Sequence, residues 1–84
     1  MPDLDSLRCF VAAATHPSFK AAAKQVALSP GAFSDRIKGL ESTVGAQLFI
    51  RSTRSISLTL AGLALLPQAR ATLDAAAKCL EVVS

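Results

Sequence analysis

One face of a helix predicted over residues 30–44 carries small, hydroxyl and charged residues. On a helical wheel of about 3.6 residues per turn, this polar face comprises Gly31, Ser34, Asp35, Lys38 and Ser42. Hydroxyl, carboxylate and ammonium groups at this spacing form hydrogen bonds and ion pairs with a polar surface. The opposite face is an apolar stripe of Phe33, Ile37, Leu40 and Val44. The pattern predicts a helix that packs on its own domain and presents its polar face to a partner.

Basic residues concentrate in the same part of the chain. Residues 8–54 contain seven basic and two acidic residues, a local net charge of +5, whereas residues 1–7 contain two acids and residues 55–84 two of each sign. A local positive field of this kind is suited to phosphate. Lys20 and Lys24 are four residues apart on one predicted helical face, where a polyanion would relieve their repulsion. A merely solvated face explains this pair nearly as well when it is taken alone, but less well beside Lys38, Arg51 and Arg54.

The signals at the helix ends predict a pair of helices joined by a tight turn. Ser29 is suited to the N-cap position and Pro30 to the first helical position, with Leu28 and Phe33 as a hydrophobic staple. Ser18 caps a preceding helix, FKAAAKQVA, whose inward stripe is Phe19, Ala22, Ala23 and Val26. Residues 18–43 therefore predict a helix-turn-helix, whose second helix enters the major groove of DNA.

A further helix is predicted before this pair. Asp3 or Asp5 caps it, and it runs to about Thr15. Its buried stripe is Leu7, Phe10, Val11 and Ala14. The opposite face carries Cys9, Ala12 and Ala13, which are small enough for a second helix to pack closely against them.

The second helix of this pair, called the recognition helix below, ends at Gly45 in a left-handed cap. A short hairpin is predicted after it. Residues 48–50 are apolar, and residues 51–54 form a polar turn with an arginine at each end. Residues 55–58 alternate between serine and an apolar residue. This pattern predicts a β-hairpin wing over about residues 48–58, whose basic tip reaches the DNA backbone or minor groove. A plain surface loop with two arginines is the alternative.

The last segment predicts a long helix from Leu60 to about Val83, capped by Thr59. Residues at alternating spacings of four and three form a heptad seam, namely Gly62, Leu66, Ala69, Leu73, Ala76, Leu80 and Val83. Small residues at alternate seam positions let two helix axes approach closely, which favours a dimerisation face. The alternative is that the stripe packs on its own domain.

Several classes of protein are disfavoured. The uncharged run between Arg54 and Arg70 is shorter than the roughly 20 apolar residues that span a bilayer, and no signal peptide opens the chain.

Cys9 and Cys79 lack metal-ligand spacing, and His16 is predicted to be an exposed loop residue rather than a catalytic base or pH switch. There is no phosphate-binding glycine loop, carboxylate pair or activated nucleophile. We therefore expect a cytoplasmic, nucleoid-associated protein that is not an enzyme and uses no metal or cofactor.

Over essentially all of its 84 residues the chain resembles the N-terminal winged helix-turn-helix domain of LysR-type transcriptional regulators. The spacing LF-R--R---LT-AG is the most specific part of this resemblance. The matching residues are Leu7, Phe10, Val11, Ser18, Phe19, Ala22, Ala23, Ser29, Ala32, Ser34, Ile37, Leu40, Glu41, Gly45, Leu48, Phe49, Arg51, Arg54, Leu58, Thr59, Ala61, Gly62, Leu65, Leu66 and Pro67.

The resemblance implies a mostly α fold, with three helices and a β-hairpin wing over residues 1–58 and a linker dimerisation helix over residues 59–84. It implies binding of double-stranded DNA by a homodimer with antiparallel linker helices. The partner's linker helix would also meet the first helix near Cys9 and Ala12. A small-molecule effector would act only through a sensor domain that is absent from this chain. A helical protein-interaction module without DNA specificity is the alternative, although it leaves the local +5 charge unexplained.

Phosphate contacts are assigned to Ser18, Lys20, Lys24, Lys38, Arg51 and Arg54. Sequence reading is assigned to the start of the recognition helix, at Pro30, Gly31, Ala32, Ser34 and Asp35, and its N-cap residue Ser29 is counted among the DNA-binding residues. The family often has Ser-Gln-Pro-Ala where this chain has SPGA, so Pro30 offers only apolar contact in place of the usual glutamine. Asp35 stands where the family often has arginine and is able to accept a hydrogen bond from cytosine N4. These departures leave the operator sequence open.

Overall fold

The computed structural model describes residues 3–51 and 55–83. Its elements are, in chain order, α1 (Leu4–Thr15), α2 (Phe19–Gln25), α3 (Pro30–Val44), β1 (Phe49–Arg51), β2 (Ile56–Leu58) and α4 (Leu60–Glu81). The prediction of a mostly helical, winged helix-turn-helix fold is confirmed. In the described part of the chain, no helix combines the length and the apolar character that a membrane crossing needs.

The predicted helix starts are confirmed by their capping hydrogen bonds. Each cap side chain accepts from a backbone N–H three residues later, as seen at Asp3 (2.7 Å), Ser18 (3.1 Å), Ser29 (3.2 Å) and Thr59 (3.1 Å). These bonds satisfy donors that a helix leaves unpaired in its first turn. At Asp3 the hydrogen bonds from Ser6 hold the pKa of the carboxyl below its usual value. The caps explain why local sequence determines where the helices begin.

The turn between α2 and α3 contains a strained residue. α2 ends at Gln25, slightly before the predicted end, and Ala27 adopts a left-handed conformation with φ of 59°. For a residue with a side chain, this backbone conformation costs about 1–2 kcal/mol of free energy, because Cβ comes close to the following carbonyl oxygen. The hydrogen bond from Leu28 N to Ala23 O, at 2.9 Å, holds the turn. Gly45 ends α3 with φ of 74°, the predicted left-handed cap, and its N–H donates to Glu41 O.

The core lies where α1 meets α2, α3 and α4. Its largest fully buried side chains include Phe10, Phe33, Ile37, Leu40 and Leu48. The predicted apolar stripe of α3 is therefore confirmed, except that Val44 is 42% exposed. Val44 is the last residue of α3, beyond the part of the helix that the core covers.

The prediction that Cys9 and Ala12 form a dock for a partner chain is wrong. Helices of the same chain cover α1, and the exposed fractions of Cys9, Ala12 and Ala13 are 2%, 6% and 3%. The small residues do permit close helix packing, but within the domain. Burial raises the pKa of the Cys9 thiol, and both Cys9 and Cys79 are free thiols.

The predicted seam of α4 divides into two parts. Gly62 and Ala69 are buried, and Leu66 and Leu73 pack against the core of the same chain. Leu80, by contrast, is 71% exposed. Val83, the predicted end of the helix, lies beyond the end of α4 at Glu81 and is 86% exposed. A helix of 22 residues is about 33 Å long, so its last turns extend beyond the surface that α1 offers. Packing on its own domain, the alternative interpretation, therefore holds for the first half of the seam.

Candidate nucleic-acid interface

The N-terminal part of α3 presents a small, polar surface to solvent. Of the residues assigned to sequence reading, Pro30, Gly31, Ala32 and Asp35 are exposed and Ser34 is half-buried, and the N-cap residue Ser29 is also exposed. The Ser29 hydroxyl accepts from Ala32 N, which leaves its own proton available to a ligand. Nothing lies within 4 Å of the place where a Cβ of Gly31 would stand. The surface is thus open to close approach by a partner.

Three elements of the domain carry exposed cations. Lys20 and Lys24 of α2, Lys38 of α3 and Arg51 of β1 are exposed. Over residues 3–51 and 55–83, none of these four lies within ion-pair distance of a carboxylate. Their charges are therefore not neutralised within the domain. Arg54, the other predicted wing cation, lies outside the described residues.

Two arginines of the basic region are engaged elsewhere. Arg36 of α3 places Nη1 3.8 Å from Asp5 Oδ2 and 4.0 Å from Asp3 Oδ1, and Arg8 lies 3.7 Å from Asp5 Oδ1. The acids at the start of α1 thus offset part of the charge that the sequence assigned to residues 8–54. Arg36 is distant in sequence from both acids, so local sequence patterns do not indicate its two pairs. The pair of Asp5 and Arg8, three residues apart on α1, is local, but the sequence analysis did not consider it.

An open groove separates α3 from the wing. It is lined by Lys38, Glu41, Gln47, Phe49 and Arg51. The Glu41 carboxylate accepts a 2.7 Å hydrogen bond from the backbone N–H of Leu48. Glu41 therefore ties α3 to the segment that leads into β1, and the groove has a cation on each side.

The wing is an antiparallel pair, and its arginine is held by an aromatic ring. Phe49 pairs with Leu58 and Arg51 with Ile56, so the predicted hairpin is confirmed up to its tip, which lies outside the described residues. The Arg51 guanidinium carbon lies 4.4 Å from the centroid of the Phe19 ring. Ser18, the residue before Phe19, is half-buried and caps α2. Sequence reasoning included Ser18 and Arg51 but gave Phe19 only a core role.

His16 differs from its prediction as an exposed loop residue. It is half-buried after α1, where Nδ1 donates a 2.8 Å hydrogen bond to Ala12 O. Among the described residues, no group of three or more His, Cys, Asp and Glu side chains could hold a metal ion. The hydrogen bond to Ala12 O gives His16 a structural role at the end of α1.

A family model described as "Bacterial regulatory helix-turn-helix protein, lysR family" matches residues 4–63. The chain is 44% identical over 81 residues to y4mQ, an uncharacterized HTH-type transcriptional regulator of Sinorhizobium fredii, covering 96% of this chain and 27% of that protein. It is 41% identical over 78 residues to the HTH-type transcriptional activator AmpR of Citrobacter freundii, covering 93% and 27%. The chain thus spans about a quarter of the length of these relatives.

Solved structures show the same architecture. The oxidized form of Corynebacterium glutamicum OxyR superposes with a TM-score of 0.95 at 40% identity, covering 100% of this chain and 27% of that chain. The CbnR_DBD–DNA complex superposes with a TM-score of 0.91 at 33% identity, covering 96% and 93%. The second comparison is with a protein of nearly the same extent, solved with DNA.

Proposed function

This chain belongs to the LysR family of bacterial regulatory helix-turn-helix proteins, and we propose that it binds double-stranded DNA sequence-specifically as a homodimer. The observation that carries the proposal is the open N-terminal face of α3 in a domain whose exposed Lys20, Lys24, Lys38 and Arg51 pair with no carboxylate of the described residues. The likeness to the CbnR_DBD–DNA complex supports it. The named relatives are transcriptional regulators, which favours a regulatory rather than an enzymatic role for this chain in the bacterial cytoplasm.

The proposed contacts divide by chemistry. Phosphates are bound by Ser18, Lys20, Lys24, Lys38, Arg51 and Arg54, which set the position of the protein on the duplex. Bases are read from the start of α3, where Pro30 offers an apolar contact and Ser34 and Asp35 offer hydrogen bonds. Ser29, Gly31 and Ala32 allow the backbone of this turn to approach the base edges. Two copies place their α3 helices about 10–10.5 base pairs apart, or a multiple of that spacing.

The exposed end of α4 is the proposed dimer contact. Leu80 and Val83 continue the seam beyond the domain, where a second α4 is able to cover them. Gly62 and Ala69 are left out of this contact, because their own domain already buries them. We divide the chain into a DNA-binding unit of residues 1–58 and a dimerisation helix of residues 59–84. Any response to a small-molecule effector is assigned to a sensor region outside these 84 residues.

A salt titration tests the proposal. The chain is titrated onto the duplex that lies upstream of its own gene, with a scrambled duplex as the control. We expect preference for one duplex and a slope of log K against log salt of about −5 to −9, as six to ten phosphate contacts give. Equal affinity for both duplexes would support DNA binding but show that the upstream duplex is not the specific binding site. Assembly without binding to either duplex at low salt would favour the protein-interaction alternative, which the apolar end of α4 also fits.

Replacing Gly31 with Ala separates folding from recognition. Because open space surrounds the Gly31 Cβ position, the helix should lose no stability. Since Gly31 lies in the first turn of α3, any gain should stay below the roughly 0.5–1 kcal/mol of a helix interior. If the α3 backbone approaches DNA closely, the added methyl group should lower affinity about tenfold. Gly39→Ala is the matched control, since Gly39 lies in the same helix with equally open space. Equal DNA affinity of the two variants, measured by fluorescence anisotropy, would reject close approach at Gly31.

A further inference from the structure

The four phenylalanines of the chain form one connected cluster. Phe19 of α2 meets Phe33 of α3 edge to face, with ring centroids 5.4 Å apart and planes at 79°. It meets Phe49 of β1 in the same way, at 5.4 Å and 86°, and Phe49 also contacts Phe10 of α1 at 5.5 Å. Phe19 therefore joins the recognition helix to the first strand of the wing.

The position of Arg51 follows from this packing. Side chains two residues apart on a strand point to the same side, so Arg51 lies on the side of β1 that carries Phe49. Phe49 is 4% exposed and packs against Phe19, which brings Arg51 over the Phe19 ring. At 4.4 Å from the ring centroid, the guanidinium is within the range of a cation–π interaction.

The free arginine side chain has several rotatable bonds, and fixing it on a ligand carries an entropic cost. A ring that already holds the guanidinium reduces that cost before the ligand arrives. Within the described residues Arg51 has no carboxylate partner, so its charge remains available to an anion. The far side of the groove is occupied by Lys38.

We propose that Phe19 is a positioning residue for DNA binding. Its ring holds the Arg51 guanidinium beside the groove between α3 and the wing, ready to contact a backbone phosphate opposite Lys38. This inference rests on the proposed function and adds a residue that does not itself touch DNA. The contribution of Phe19 to DNA affinity does not depend on the base sequence, because it acts through a phosphate contact.

A double-mutant cycle tests this role. Affinity for a fluorescein-labelled mixed-sequence duplex is measured at low salt for the wild-type chain, Phe19→Leu, Arg51→Gln and the double variant. Phe19→Leu should lower affinity about three-fold per protomer, hence about tenfold for a dimer, and should have no effect when Arg51 is already Gln. Phe10→Leu is the control, since it alters the same cluster without touching Arg51. Its effect should be equal in both Arg51 backgrounds.

Two further measurements keep the test decisive if Phe19→Leu does not fold. Fluorinated phenylalanines at position 19 retain the ring size and weaken its negative face, so affinity should fall stepwise with fluorination only when Arg51 is present. In the free wild-type protein, ring currents of Phe19 should shift the Arg51 δ-proton NMR signals upfield. Additive effects in the cycle, or affinity independent of fluorination, would overturn the role of Phe19 while leaving DNA binding intact. A wild-type chain that binds no duplex would overturn the proposed function itself, even with the shifted Arg51 signals present.

Discussion

The Gly62→Ala variant is expected to lose about 3 kcal/mol of the free energy of unfolding, a large fraction of the stability of a domain of this size. A Cβ at this position would overlap the backbone carbonyl of Leu48 and lie 2.8 Å from Cδ2 of Leu58. Because one of these neighbours is backbone, a change of side-chain rotamer cannot relieve the overlap. Denaturant unfolding followed by circular dichroism measures the loss.

The start of α4 cannot move aside to make room. Thr59 donates its backbone N–H to Leu48 O at 3.0 Å and its hydroxyl to Gln47 O at 2.6 Å. The same hydroxyl accepts from Gly62 N at 3.1 Å. Moving α4 outward would therefore break the bonds that attach it to the wing. Leu48 is also 1% exposed and tied to Glu41, so its own segment is equally constrained.

Gly39→Ala is the matched control for Gly62→Ala. It makes the same change in a helix interior, but nothing lies within 4 Å of the added group. Helix propensity predicts a gain of about 1 kcal/mol for this control. If Gly62→Ala were as stable as the wild-type chain, the close packing of α4 on residues 47–48 would be contradicted.

The second large effect is expected from Leu80→Asp. If the exposed end of α4 is the dimer contact, the variant places a charge in the seam of each helix and should be monomeric at concentrations where the wild-type chain is dimeric. A monomer reaches half of the phosphates, so the slope of log K against log salt should fall by about half. Loss of the second, linked DNA-binding unit should lower affinity on the order of 10²–10⁴-fold.

Val82→Asp provides a control that differs only in helix face. Val82 is 84% exposed in the same part of the chain, but it is not a seam residue and its side chain points away from that of Leu80. We expect this variant to remain dimeric in sedimentation experiments and to bind DNA as the wild-type chain does. A dimeric Leu80→Asp chain would reject the seam. Leu73→Asp is a poorer choice because Leu73 packs against the core, so its substitution would also destabilise the domain.

The local architecture could be predicted from residue types alone. Capping side chains set the helix starts at Asp3, Ser18, Ser29 and Thr59, because a short polar side chain before a helix satisfies its unpaired N–H groups. Gly45 ended α3 for the same kind of local reason, since glycine adopts a left-handed conformation without steric cost. Charge and hydrophobic periodicity then predicted which face of α3 is exposed.

Which neighbour covers each helix face depends on how the elements pack and could not be predicted from local patterns. Periodicity places Gly62, Ala69 and Leu80 on one side of a helix, but it does not indicate where the domain beneath them ends. The small residues Cys9 and Ala12 predict a dock for a second copy, whereas helices of the same chain occupy that space. The contact between Arg51 and Phe19 likewise joins segments far apart in the chain, whose meeting depends on the packing of the whole core. Local signals act within a few residues, whereas burial depends on every element that surrounds a site.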